Sequence, residues 1–248
     1  MARHLQSELD RERIAAVFFD LGHTLMWPLY GLLADVLEQA FNKPVTAANV
    51  VSAEQAFRRQ VKHFVTETYS DTTPIPGNSY DYYAFLVERC TGQTVAALGE
   101  EFHRFAKYAH GYHLRKNWFM SLGPDAIPAL EMLKPRFRLG VISNAHGTLE
   151  RDLNILGIRR YFEVVADSEV VGYAKPDRRI FDYALKRMSI KPEWAVHVGD
   201  LPTADIQGAT EAGLFAMHYD AQGVFRDKPI PNVPCFRNLV DLAEALIG

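Results

Sequence analysis

Short, uninterrupted hydrophobic segments recur along the chain and predict the strands of a parallel sheet. The first covers residues 14–19 and ends at Asp20, and further segments lie at 139–142, 162–166, 195–198 and 214–218. Apolar runs without alternation are typical of strands that are buried on both faces. Between them, helical periodicity predicts helices at 124–133, 147–156, 176–188 and 203–212. Strands that alternate with helices of this length predict an α/β fold with a doubly wound, Rossmann-like parallel sheet.

The stretch from 29 to 118 interrupts this alternation. Its amphipathic patterns predict helices at 32–41, 53–65, 80–89 and 95–108, and no part of it has the pattern of a strand. The Pro- and Gly-containing segment 72–77 predicts a loop between two of these helices. We therefore predict an all-helical domain at 29–118, inserted into a catalytic core that comprises 1–28 and 119–248, with joints near Pro28 and Phe119.

Composition and charge narrow the classes of partner. A formal net charge of -3 gives no electrostatic reason to expect nucleic acid, so a small solute is the expected partner. The chain has no apolar run of the roughly 18 residues that a membrane span requires, and residues 1–13 lack the apolar segment of a secretory signal. Cys90 and Cys235 have neither disulfide-framework nor metal-site spacing. These features predict a cytoplasmic protein that does not bind membranes, and they leave its oligomeric state open.

Polar residues follow the predicted strands at the places where each strand ends. They form four short segments, which are Asp20-Leu21-Gly22-His23-Thr24, Ser143-Asn144, Lys175-Pro176-Asp177, and Gly199-Asp200 followed by Asp205. Because the carboxyl ends of parallel strands meet at one edge of a sheet, this edge is the expected ligand site.

The order and spacing of these four segments resemble the motifs of the haloacid dehalogenase superfamily. The stretches 172–177 and 199–209 are the most similar to the family pattern, and the resemblance extends from about residue 15 to 219. It implies that Asp20 is a nucleophile that accepts a phosphoryl group, and that Ser143 and the backbone N–H of Asn144 hold the phosphoryl oxygens. It also implies that Lys175 orients Asp20, and that the segment 29–118 is a helical cap over the active site.

The resemblance further implies a Mg²⁺ ion, held by Asp20, the carbonyl oxygen of Gly22, Asp200 and Asp205. Elementary electrostatics agrees, because three neighbouring carboxylates are tolerable only with protons or a cation between them. Oxygen ligands are also the ones that Mg²⁺ prefers. His23 and Thr24, in the first motif, are predicted to contact the substrate together with Asn144.

The first motif departs from the family pattern at two positions. Phosphatases of this superfamily usually carry an aspartate, the acid-base group, two residues after the nucleophile, where this chain has Gly22. General acid-base assistance contributes about 10²–10⁴-fold to a rate, so its loss favours substrates with good leaving groups. His23 stands where the family usually has glycine. Its imidazole would either replace the missing acid or, as we favour, pack near the joint between the domains.

The pattern as a whole predicts a Mg²⁺-dependent hydrolase of a small phosphorylated metabolite that forms an aspartyl-phosphate. One alternative is a catalytically impaired protein that binds a phosphate compound or a protein. A second is a metal-free, dehalogenase-like enzyme, against which the acidic pair Asp200 and Asp205 argues. A third is a phosphonatase-like enzyme, which would need a cap lysine such as Lys43 or Lys62.

Other charged residues are weaker candidates for substrate binding and are predicted to be solvent-exposed. They are Arg58, Arg59, Lys62 and His63 on one helix, His110, His113, Arg115 and Lys116 near the second joint, and His146 after the second motif. The aromatic residues of the third helical pattern are predicted to form a core; these are Tyr80, Tyr82, Tyr83 and Phe85.

Overall fold

A six-stranded, all-parallel sheet confirms the predicted α/β class. The computed structural model describes residues 11–60 and 77–248. The sheet has the strand order β5-β4-β1-β6-β7-β8. Its strands are β1 (Ala16–Phe19), β4 (Arg138–Ser143), β5 (Val164–Asp167), β6 (Ala195–Gly199), β7 (Phe215–Tyr219) and β8 (Cys235–Phe236). A separate antiparallel pair consists of β2 (Met26–Trp27) and β3 (Ser121–Leu122). The hydrophobic pattern predicted the first five strands of the large sheet and missed β8, β2 and β3, which are only two residues long.

The register of the sheet brings the strand ends together. Phe19 at the end of β1 lies opposite Val141 of β4 on one side and Val198 of β6 on the other. In the sheet, β4 and β5 lie on one side of β1, and β6, β7 and β8 lie on the other side. The carboxyl end of β1 is therefore the topological switch point, where doubly wound sheets bind their ligands.

Close packing inside the sheet depends on a glycine of β4. A Cβ atom added at Gly140 would lie 2.6 Å from Cδ1 of the Phe18 ring on the neighbouring strand. The ring thus occupies the space that any larger residue would need. Phe18 belongs to a core cluster that combines residues of β1, β4, β5, β6 and β7 with one face of the helix at 178–188.

Helices of the core unit follow the predicted pattern with shifted ends. They are α6 (Ala126–Leu133), α7 (Leu149–Ile155), α8 (Ser168–Val171), α9 (Arg178–Met188), α10 (Gly208–Ala212) and α11 (Leu239–Ile247). The helix predicted from 176 begins at Arg178, because the Asp177 side chain caps it by accepting from the Arg179 N–H. The single helix predicted for 203–212 is wrong in detail, since a π-helical segment at Pro202–Gln207 precedes α10.

Residues Pro28–Met120 form a second compact unit, separate from the unit that joins the residues up to Trp27 with Ser121–Gly248. Its helices are α1 (Tyr30–Phe41), α2 (Ala47–Gln60), α3 (Gly77–Thr91), α4 (Val95–Leu98) and α5 (Glu100–Lys116). Within 28–60 and 77–120 the unit has no strand. Whether it acts as a cap stays a prediction.

Three predicted boundaries in the helical unit differ from the structure. The helix predicted at 95–108 is interrupted at Gly99, where φ is 51°, and α5 continues to Lys116. Helix α2 begins at Ala47 instead of 53, and residues 61–65 of that prediction lie outside the described residues. Of the loop predicted at 72–77, only Gly77 is described, and it begins α3.

An aromatic core holds the helical unit together. The indole N–H of Trp118 donates to the Tyr83 hydroxyl at 3.2 Å and to the carbonyl of Ala109 at 3.1 Å, and Tyr112 stacks on the same indole. Tyr83 is buried, and Tyr80 and Tyr82 pack against the same cluster. Among residues 11–60 and 77–248, no helix has both the length and the apolar character to cross a membrane.

Candidate active site

Asp20 directly follows β1, and its carboxylate accepts hydrogen bonds through one of its two oxygens. Its backbone N–H donates to the carbonyl of Val198 at 2.8 Å, which continues the sheet by one residue. Its carboxylate oxygen Oδ1 accepts from Ser143 Oγ at 2.9 Å and from Lys175 Nζ at 2.6 Å. No residue in the described part of the chain donates a hydrogen bond to Oδ2. The side chain is therefore oriented through one oxygen while the other is available for chemistry.

A tight turn after Asp20 places the rest of the first motif. The Leu21 carbonyl accepts N–H groups from Thr24, Leu25 and Met26 at 2.7–3.2 Å. His23 has a φ of 56°, in the left-handed region, whereas the backbone at Gly22 lies outside that region. The turn thus uses a left-handed residue at position 23, where a glycine would adopt the conformation without strain.

The His23 ring packs edge-on against Trp27, with ring centroids 5.3 Å apart. This contact agrees with the interpretation that His23 packs near the joint. Thr24 is fully buried, and Gly22 is half-buried. Substrate contacts of His23 and Thr24 stay predictions.

Asn144 fixes the backbone of the lysine loop, the segment 172–177 between α8 and α9 that contains Lys175. Its Oδ1 accepts from the Lys175 N–H at 2.7 Å, and its Nδ2 donates to the Lys175 carbonyl at 3.0 Å. A single amide thereby holds both backbone polar groups of the residue whose side chain reaches Asp20. The sequence motif predicted a role for the Asn144 backbone and did not predict this role for its side chain.

Asp205 is fully engaged by its neighbours. Its Oδ1 lies 2.5 Å from Lys175 Nζ and 2.9 Å from Nε2 of His197, and its Oδ2 accepts from the Leu201 N–H at 2.9 Å. The side chains of Lys175, His197 and Asp205 are buried. Asp205 thus orients Lys175, and its position in the π-helical segment turns it back toward β6.

Burial and neighbouring charges set the protonation of this cluster. Desolvation raises the pKa of Asp20, although Lys175 acts in the opposite direction. Burial would lower the pKa of Lys175, but the charges of Asp20 and Asp205 outweigh it and the pKa is raised. Burial likewise opposes ionisation of Asp205, yet Lys175 and His197 lower its pKa. The resulting state is a Lys175 ammonium that bridges Asp20 and an ionised Asp205.

Three buried carboxylates meet where the sequence predicted a cation. Asp20, Asp200 and Asp205 each offer one oxygen, and these oxygens all lie within 4.8 Å of one another. One lysine cannot balance three carboxylates in a buried site, so a cation or additional protons are required. An all-oxygen donor set fits Mg²⁺.

Two buried histidines support this cluster and were missed at the level of sequence. His197 lies in the middle of β6 and contacts Asp205. His218 lies on β7, and its Nε2 is 3.0 Å from the carbonyl oxygen of Asp200. The available signal was a polar residue inside an otherwise hydrophobic strand, which must have a partner when it is buried.

The weaker candidates have mixed positions. Arg59, Arg115 and Lys116 are exposed as predicted, and His113 and His146 are half-buried. The prediction is wrong for Arg58 and His110, which are buried because they lie on the buried faces of α2 and α5. Lys62 and His63 lie outside the described residues.

Gly199→Ala is expected to destabilise the protein and to lower its activity. An added Cβ would lie nearest to Cγ of Asp205 and 2.6 Å from its Cβ and Oδ1, so the carboxylate would have to leave its present position beside Lys175. Such overpacking typically costs about 1–3 kcal/mol. Gly140→Ala, which would crowd the Phe18 ring, is the matched control.

Urea unfolding and the turnover of folded protein are measured for both variants. Both should unfold at lower urea concentrations, but only Gly199→Ala should lose turnover per folded molecule. Equal turnover in the two variants would contradict a role for the position of Asp205.

Comparisons with known proteins agree with the fold and with the motifs of the site. The pattern of the haloacid dehalogenase-like hydrolases matches residues 14–213. The chain is 32% identical over 207 residues to a glyceraldehyde 3-phosphate phosphatase of Methanothermobacter thermautotrophicus, which covers 82% of this chain and 84% of that protein. It is 30% identical to the protein of the same name in Methanopyrus kandleri, over 94% and 98% of the two chains. The crystal structure of the magnesium-bound Bacillus subtilis protein YfnB has the same fold, with a TM-score of 0.64, 23% identity, and coverage of 94% and 99%.

Proposed function

The chain belongs to the haloacid dehalogenase-like hydrolase family, and we propose that it is a Mg²⁺-dependent phosphatase of small phosphorylated metabolites. The observation that carries this proposal is the arrangement around Asp20, whose Oδ1 is held by Ser143 and Lys175 while Oδ2 has no described donor. The two glyceraldehyde 3-phosphate phosphatases support a small phosphate ester as the substrate class. A cytoplasmic location stays a prediction.

In the proposed reaction, Oδ2 of Asp20 attacks phosphorus in line, and the bond from phosphorus to the leaving oxygen breaks as the aspartyl-phosphate forms. Water then attacks the aspartyl-phosphate, releasing inorganic phosphate and regenerating the Asp20 carboxylate. Ser143 and the backbone N–H of Asn144 would hold the phosphoryl oxygens. Lys175 would contribute positive charge where negative charge develops in the transition state.

Asp20, Asp200 and the carbonyl oxygen of Gly22 are the residues that would hold Mg²⁺. Bound there, the ion would offset the repulsion between two anions, the Asp20 carboxylate and the phosphate group. Asp205 has hydrogen bonds on both of its oxygens, so we assign it to orienting Lys175 instead of to direct metal contact. Such outer groups commonly tune a metal site.

Gly22 limits the range of substrates under this proposal. Without a carboxyl group at this position, the leaving oxygen departs without a proton from that group. Acyl phosphates and aryl phosphates should therefore be hydrolysed much faster than alkyl phosphates. The buried acidic cluster argues against the metal-free dehalogenase alternative, because attack on an organic halide gains nothing from additional negative charge.

The test is a screen of phosphate compounds with Mg²⁺ and with EDTA. Acetyl phosphate and p-nitrophenyl phosphate should release phosphate only with Mg²⁺, and adding excess Mg²⁺ after EDTA should restore the rate. Glyceraldehyde 3-phosphate is included because two relatives carry its name. Hydrolysis that is unchanged by EDTA would contradict the proposal. Calorimetric binding of inorganic phosphate without any hydrolysis would favour the binding-protein alternative.

A further inference from the structure

We propose that His197 is a positioning residue, whose Nε2–H fixes Asp205 so that Asp205 aims the Lys175 ammonium at Asp20. The inference deepens the proposed phosphatase function and rests on it. His197 does not touch Asp20 in the described contacts, and it would act only through the two side chains between them.

A continuous chain of four buried side chains carries the inference. Nε2 of His197 lies 2.9 Å from Oδ1 of Asp205, and the same oxygen lies 2.5 Å from Nζ of Lys175. That ammonium lies 2.6 Å from Oδ1 of Asp20. The four residues come from β6, the π-helical segment, the lysine loop and the end of β1, so the contacts join four separate parts of the core unit.

In the hydrogen bond between His197 and Asp205, the histidine is the donor. An ionised carboxylate only accepts hydrogen bonds, so the His197 nitrogen that faces Asp205 carries the hydrogen. Burial lowers the pKa of His197 and favours the neutral ring. The hydrogen on Nε2 then leaves Nδ1 as an acceptor, and Nδ1 has no partner within the described residues.

Stability alone does not explain a histidine at this position. A buried polar atom without a partner destabilises the fold, and the neighbouring strand residues Val196 and Val198 are apolar and fully buried. The ring also packs against Phe181, with centroids 5.3 Å apart, but an apolar side chain would make such a contact equally well. The hydrogen bond to Asp205 is the contribution that only a donor can make.

Three substitutions of His197 distinguish the effect of its hydrogen-bond donor from the effect of its packing. His197→Gln places an amide nitrogen the same number of bonds from Cβ as Nε2 of histidine. His197→Asn ends one bond short, and His197→Leu keeps apolar bulk without a donor. Phe181→Leu is the packing control, because it alters the contact with the ring and keeps the hydrogen bond.

The first measurement is steady-state hydrolysis of p-nitrophenyl phosphate with Mg²⁺, with thermal melting to establish that each variant is folded. His197→Leu and His197→Asn should lower kcat about 10–100-fold, the usual size of such outer-shell effects, with KM nearly unchanged. His197→Gln should recover most of the kcat, and Phe181→Leu should lower the melting temperature while keeping kcat. Equal kcat losses in the Gln and Leu variants, or an unchanged kcat in the Leu variant, would overturn the inference.

The second measurement does not depend on activity or on metal. In ¹⁵N-labelled, metal-free protein, the Lys175 ammonium should give a slowly exchanging ¹H–¹⁵N signal, identified by its loss in Lys175→Arg. The signal should broaden or vanish in His197→Leu and persist in His197→Gln. The signal could be lost in His197→Leu and kept in His197→Gln while the wild type hydrolyses no phosphate compound. In that case the proposed function fails and the positioning contact stands. If hydrolysis is Mg²⁺-dependent but neither the Lys175 signal nor kcat changes when His197 is substituted, the positioning inference fails and the proposed function stands.

Discussion

Asp20→Asn is expected to reduce Mg²⁺-dependent hydrolysis of p-nitrophenyl phosphate to the uncatalysed background while the protein stays folded. The amide has no nucleophilic oxygen anion, so no aspartyl-phosphate would form. The amide oxygen can still accept from Ser143 and Lys175, which are the two donors to Oδ1 in the structure. Because burial raises the pKa of Asp20, a neutral replacement also removes part of the cost of burying a charge. The fold should therefore survive.

Phosphate release and the thermal melting temperature are the two measurements for this variant. Asp182→Asn is the matched control, because it makes the same chemical change at an exposed carboxylate that pairs with Arg178. This control should keep full activity. Hydrolysis that persists both in Asp20→Asn and in the presence of EDTA would remove the proposed mechanism and revive the metal-free alternatives.

Gly22→Asp is expected to accelerate hydrolysis of phosphate esters with poor leaving groups by about 10²–10⁴-fold, the usual contribution of general acid-base assistance. The added carboxyl group would protonate the leaving oxygen and later activate water. The backbone at Gly22 lies outside the left-handed region and the residue is half-buried, so the conformation accepts a side chain without backbone strain. Gly22→Asn adds similar bulk without an acid and is the control.

The informative measurement is the rate across a series of aryl and alkyl phosphates of rising leaving-group pKa. The wild type should show a steep fall, and a burst of product equal to the enzyme concentration should precede its slow steady state. Gly22→Asp should flatten the fall and shrink the burst, whereas Gly22→Asn and His23→Ala should leave both unchanged. A flat series in the wild type, with a pH limb near about 6.5 that disappears in His23→Ala, would show that His23 is the acid-base group.

The architecture of the core could be predicted from the sequence because most of its strands and helices can be recognised from the residues of one short segment. Five buried strands appear as apolar runs without alternation. Ser143 ends one of these strands, and Asp20 and Asp200 each directly follow another. A parallel sheet brings such strand ends to one edge, so the location of the candidate site followed from the order of elements, whereas the roles of its residues came from the family resemblance. The errors fall where the local signal is weak, as at β8, which has two residues, and at the π-helical segment.

The connections inside the site were decided only by the folded chain. Lys175 and Asp20 are 155 residues apart, and the hydrogen bonds of the Asn144 amide to the Lys175 backbone join positions 31 residues apart. The sequence pattern does not indicate which oxygen of Asp205 faces His197, or that both oxygens accept hydrogen bonds. Hydrophobic patterning records which residues avoid water, and this is a property of each short segment. The partners of a buried polar atom depend on distances and angles between segments, which exist only after the sheet has formed.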